Sequence, residues 1–218
     1  MTEVTWDEAN DHVPMMELVA ARTSDRKLRL LLVAMARCVW ERMPKGELRD
    51  AVSAAELYAD GDESLSVVDD CRGRLYGWAM SAATEEQRAF FNSNDTNPVF
   101  TLARLTTYPT KMLRSLTLSN SNWRGQSSRL GTRVAELIRE VFGNPFRPVA
   151  FSPNWRTDTA LTLARQMYDA REFSAAPILA DALQDAGCDS DDLLNHLRDT
   201  SATHVRGCWA LDLVLGKE

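Results

Sequence analysis

Residues 157–187 read TDTALTLARQMYDAREFSAAPILADALQDAG. Thr157 is a suitable helix cap, because its hydroxyl can accept from an exposed first-turn amide. Behind it Ala160, Leu161, Ala164, Met167 and Tyr168 recur at helical spacing. Ser174 is the expected cap of a second helix, with Pro177 in its first turn and Ile178, Leu179, Ala182, Leu183 and Ala186 on one face. Gly187 supplies the left-handed stop. So short a connection forces the two helices antiparallel. Nothing in the stretch alternates with the two-residue period of a strand, and the expected architecture follows from it.

Working outward, the same helical spacing recurs along the chain. Asp189 or Ser190 opens a further helix with Leu193, Leu194 and Leu197 inward. A last helix is expected to carry Val205, Cys208, Trp209, Leu211 and Leu215, with Asp212 among apolar neighbours and Arg206 or Arg156 as its partner. Upstream, Val134, Leu137, Ile138 and Val141 mark a short helix that stops at Gly143, followed by a proline turn at Pro145 and Pro148. Ser24 and Asp25 start a helix of about five turns through Leu28, Leu31, Leu32, Met35, Val39 and Met43, closed by Pro44. Arg26, Lys27, Arg29, Arg37 and Arg42 take its other faces. Two more helices are expected, from Glu47 to Tyr58 and from about Glu63 to Ala82. The reading is an all-α protein, an irregular multi-helix bundle of 8–10 helices with short αα-hairpins.

At 218 residues the chain suits one domain. The polar run Asn92–Pro98 is the best internal boundary, giving helical halves 1–91 and 99–218. The net charge is −6, unevenly spread: residues 101–150 hold eight basic side chains against two acidic ones. That basic middle could meet nucleic acid, but no aromatic-rich basic motif or DNA-reading helix pair accompanies it, so nucleic acid ranks last among the readings. The opening residues lack the basic start and apolar run of a signal peptide, and no apolar run reaches the length of a membrane span. A cytoplasmic, non-membrane protein with reduced thiols is expected.

The chemistry-bearing motifs are few. Neither G-x-S-x-G nor H-E-x-x-H occurs, and no glycine-rich phosphate loop is present. The one concentration of donors is Cys188, His196, His204 and Cys208. Two thiols and two imidazoles match tetrahedral zinc in number and type. The spacing C-x7-H-x7-H-x3-C is not that of a common finger, and two helical turns between Cys188 and His196 work against convergence. The competing reading makes Cys188 and Cys208 small buried apolar residues. His204 and Cys208, four apart, would share a helix face and could form a thiol–imidazole pair, with no third orienting group in view.

The segments FGNPFRPV (142–149), PILADAL (177–183), DAGC (185–188), HVRGCW (204–209) and DLVLG (212–216) resemble the end of an uncharacterised planctomycete-type helical domain. DRKLRL (25–30) with Trp40 is similar to its opening helix. The resemblance covers both ends of the chain, and implies a module rather than a reaction. Members often carry cysteines in the first long helix, where this chain has Val33, Met35 and Ala36, so a metal site there is not expected.

The leading functional expectation is therefore a non-enzymatic protein-interaction module without a cofactor. Its surface would centre on Trp123, Arg124, Arg129 and Arg133. The rival is a zinc-stabilised or thiol-dependent protein built on Cys188, His196, His204 and Cys208. Partner identity and oligomeric state are not written in the sequence.

Overall fold

The computed structural model describes residues 1–20, 22–81, 106–107 and 128–217. The side chains of 42, 78–81 and 128–131 are outside that description. Among the described residues the protein is all-helical, with ten α-helices, two 3-10 turns and no strand. The helices are α1 (Glu3–Glu8), α2 (His12–Ala20), α3 (Asp25–Arg37), α4 (Glu47–Asp60), α5 (Leu65–Ser81), α6 (Ser128–Phe142), α7 (Asp158–Ala170), α8 (Ala176–Asp185), α9 (Asp191–Arg198) and α10 (Trp209–Leu215). None is long and apolar enough to cross a membrane.

The chain divides into two compact units, one of residues 1–10 and 135–218 and one of residues 11–134. The expected boundary at Asn92–Pro98 lies outside the described residues.

In the 11–134 unit, α3 packs on α4 and α4 on α5. Ser24 caps α3 by accepting from the Lys27 amide. Every residue from Leu28 to Ala36 is buried, so α3 is enclosed all round rather than amphipathic. Arg29, expected on a face other than the apolar stripe, is only 2% exposed. Its guanidinium lies 5.0 Å from the centre of the Tyr58 ring and donates to the Thr106 carbonyl, which meets the cost of burying the charge. Two further arginines of α3 pair with acids of α4: Arg26 with Asp60 at 2.9 Å and Arg37 with Glu56 at 2.5 Å.

The helix expected to continue to Met43 stops at Cys38, and a 3-10 turn covers Trp40–Arg42. The cause is a side chain from the next helix. Arg49 donates to the carbonyls of Trp40 and Met43, both at 2.8 Å, and its cation faces the Trp40 ring at 5.0 Å. Those carbonyls are thereby satisfied outside a helical ladder. On α5 the charged run is a partly solvated pattern: Arg74 pairs with Glu47 and Asp70, and Arg72 with Asp69.

In the other unit, α7 to α10 enclose one core, with Leu179, Leu183, Leu193, Leu197, Leu211 and Val214 at its centre. Thr157 caps α7 as expected, accepting from the Ala160 amide at 3.2 Å. Ser174 is not the cap of α8. That position falls to Ala175, whose side chain cannot accept, and Pro177 reduces the need by removing one first-turn donor. Gly187, with φ 87°, ends the hairpin as expected. Ser190 caps α9. Arg156 donates to the last carbonyls of α10, at Leu213 and Val214, both at 2.8 Å. In the same unit α1 is held by Arg139, which donates to the Ala9 carbonyl, and by Arg147, which pairs with Glu3 and Asp7.

Candidate metal centre

Three segments of this unit bring four donor side chains together. The first is the end of α6. Val134, Leu137, Ile138 and Val141 form its buried stripe, and Glu140 stands at the flank of that stripe, three residues after Leu137. The second is the last turn of α9, where His196 shares a face with Leu193. The third is the turn-rich stretch between α9 and α10, which carries His204 and Cys208.

That stretch is not the helix expected from the sequence. Asp199 ends α9, and its Oδ1 accepts from the amide and hydroxyl of Ser201. Gly207 adopts φ 88°, and the Cys208 amide donates to the Val205 carbonyl. A turn of this kind cannot continue a right-handed helix, so α10 begins only at Trp209. His204 and Cys208 are brought together by the turn rather than by helical spacing.

The ligand atoms of Glu140, His196, His204 and Cys208 all lie within 4.8 Å of one another. His196 Nε2 is 3.3 Å from Cys208 Sγ and 3.3 Å from Glu140 Oε2. His204 Nδ1 is 3.1 Å from Glu140 Oε1, which also accepts from the Val205 amide at 3.3 Å. His204 Nε2 is buried without a hydrogen-bond partner. Solvent reaches the group only slightly: the side chains of Glu140, His204 and His196 are 7%, 6% and 18% exposed, and Cys208 is fully buried.

Burial dominates the protonation states. It lowers the His196 pKa from 6.5, against the pull of the Glu140 carboxylate, and the neighbouring His204 lowers it further. It raises the Cys208 thiol well above 9.0, with the Glu140 charge adding to the effect. Without a cation the group thus holds a neutral imidazole beside a protonated thiol.

Of the four donors picked out in the sequence, three converge and Cys188 does not. Cys188 is buried at the end of the α7–α8 hairpin, where its amide bonds to the Leu183 carbonyl and burial raises its thiol pKa. Its place is taken by Glu140, 56 positions before His196 in the sequence. The one signal for Glu140 is a carboxylate at the edge of an apolar stripe, one turn before a glycine stop. Of the expected interaction surface, Trp123, Arg124 and the Arg129 side chain lie outside the described residues, and Arg133 is half-buried on α6.

No protein-family model, no curated protein and no solved structure matches this chain. The donor geometry carries the functional reading.

Proposed function

We propose that the unit of residues 1–10 and 135–218 is a metal-stabilised helical module, with Glu140, His196, His204 and Cys208 holding one divalent ion of the zinc type. The observation that carries this is the crowding at His196 Nε2, which has a thiol sulfur and a carboxylate oxygen both at 3.3 Å. Zinc bonds of about 2.0–2.3 Å set tetrahedral neighbours roughly 3.3–3.8 Å apart, a range into which these two spacings fall, and all four ligand atoms lie within 4.8 Å of one another.

The charges also balance. A thiolate and a carboxylate beside two neutral imidazoles offset a divalent cation, which removes the penalty of burying net charge. Four protein donors leave no open position, which favours a structural role over a Lewis-acid one.

A thiol–imidazole–carboxylate triad fits less well. Such a triad needs the carboxylate on the nitrogen opposite the nucleophile, whereas Glu140 and Cys208 approach the same nitrogen. A fully buried Cys208 with a raised pKa is also a poor nucleophile.

The test is metal analysis of purified protein. One equivalent of zinc is expected, lost in Cys208→Ala and in Glu140→Ala and kept in Cys188→Ala. Wild-type protein that takes up no zinc at stoichiometric concentration would overturn the reading.

A further inference from the structure

Ligating histidines are usually oriented by a hydrogen bond on the ring nitrogen that faces away from the metal. Among the described residues, the hydrogen bonds of His196 all fall on Nε2, the nitrogen turned toward Glu140 and Cys208. The ring is also held by its neighbours: His204 meets it edge-on at 5.0 Å between ring centres.

The indole of Trp209 packs on it, with ring centres 4.9 Å apart and planes inclined by 46°. The same indole covers Gly143. A Cβ built there would stand 3.1 Å from Cγ and Cδ2 of Trp209, and the residue sits at φ 66°. Gly143 closes α6 three residues after Glu140, and Trp209 directly follows Cys208. One side chain therefore touches the segment bearing Glu140 and the ring of His196, and belongs to the residue that follows Cys208.

We infer that Trp209, seated on Gly143, is the positioning residue of the metal centre: its indole holds the His196 ring with Nε2 facing Glu140 and Cys208. The inference rests on the metal reading above. Gly143 belongs to the same device, because a side chain there would push the indole by a few tenths of an ångström. His196 is the most exposed of the four donors, at 18%, and the indole packs against its ring.

The experiment uses the full chain loaded with Co(II), which reports thiolate ligation by a charge-transfer band and tetrahedral geometry by its visible bands. Trp209→Leu keeps apolar bulk but removes the planar face. It should weaken metal binding about tenfold or more, the range for outer partners of metal ligands, and alter the visible bands. Trp209→Phe should restore both. Unfolding midpoints of the metal-free variants, measured in parallel, separate positioning from general stability. Should Trp209→Leu not fold, Gly143→Ala reaches the same indole and should weaken binding with the same spectral change. Wild-type affinity and spectrum in these variants would overturn the inference while leaving the metal reading standing. A wild-type protein that binds no Co(II) would remove both.

Discussion

His204 Nδ1 stands 3.1 Å from Oε1 of Glu140, across sixty-four positions of sequence. The contact joins the end of α6 to the turn before α10. Because Oε1 also accepts from the Val205 amide, the carboxylate is held before any ion arrives. The Val205 amide is the outer support that a ligating carboxylate needs, while His204 belongs to the proposed ligand set itself.

Glu140→Gln follows from that arrangement. Glutamine keeps an oxygen for the Val205 amide but loses the charge that balances a divalent ion. Zinc affinity should fall by more than about 100-fold, beyond the range for outer-shell partners. Competition against a chromophoric chelator measures it. Wild-type affinity in this variant would show that the carboxylate is not a donor.

Metal binding should also depend on pH with a known sign. Burial and the Glu140 charge hold the Cys208 proton on the sulfur well above pH 9.0, and a metal must displace that proton. Affinity should rise about tenfold per pH unit between pH 6 and 8, the slope for one proton released per ion. A flat profile over this range would remove Cys208 from the donor set.

A second titration belongs to the 11–134 unit. His12, at the start of α2, is buried, which lowers its pKa from 6.5 despite the opposing Asp11 charge. The folded state keeps His12 neutral while the unfolded chain takes up a proton below pH 6.5. The stability is therefore complete above that pH and is lost as pH falls toward the depressed value. The loss cannot exceed about 1.4 kcal/mol per pH unit for one group. Urea unfolding at pH 7.5, 6.5 and 5.5 should show a shallower decline for His12→Gln than for wild type. Equal slopes would mean that other groups account for the acid sensitivity.

Thr157 and Ser174 offer a matched pair of cap mutations. Thr157 bonds the Ala160 amide, and its replacement by alanine should cost about 1 kcal/mol. Ser174 is exposed and caps nothing in α8, so Ser174→Ala should stay within about 0.5 kcal/mol. Denaturant midpoints decide between them, and equal losses would mean that the cap geometry is misread.

Much of the fold was legible in caps and periodicity, because those signals act within a turn or two of themselves. Thr157, Ser190, Gly143 and Gly187 each mark an observed helix end. The misreadings share one origin, a partner remote in sequence. The break after Arg37 depends on Arg49 reaching back to two carbonyls. Arg29 is buried because a ring on α4 and the Thr106 carbonyl receive its charge. The donor cluster was half legible for the same reason. His196, His204 and Cys208 stand out as rare residue types close together, while Glu140 is one of many acids and is singled out only when α6 is laid beside α9. Cys188 was near in sequence and absent from the group, because the turn at Gly187 directs it into the hairpin core.

The attachment of α1 bears on how the chain is made. Trp6 is fully buried, yet Arg139, Asn144 and Arg147, which grip its helix, come 130 to 144 positions after the residues they hold. A ribosome delivers α1 well before these anchors, so its indole stays uncovered until they have been made. Long waits of this kind slow folding and expose apolar surface to other chains. Residues 1–10 are thus expected to gain protection only once residues 139–147 are in place.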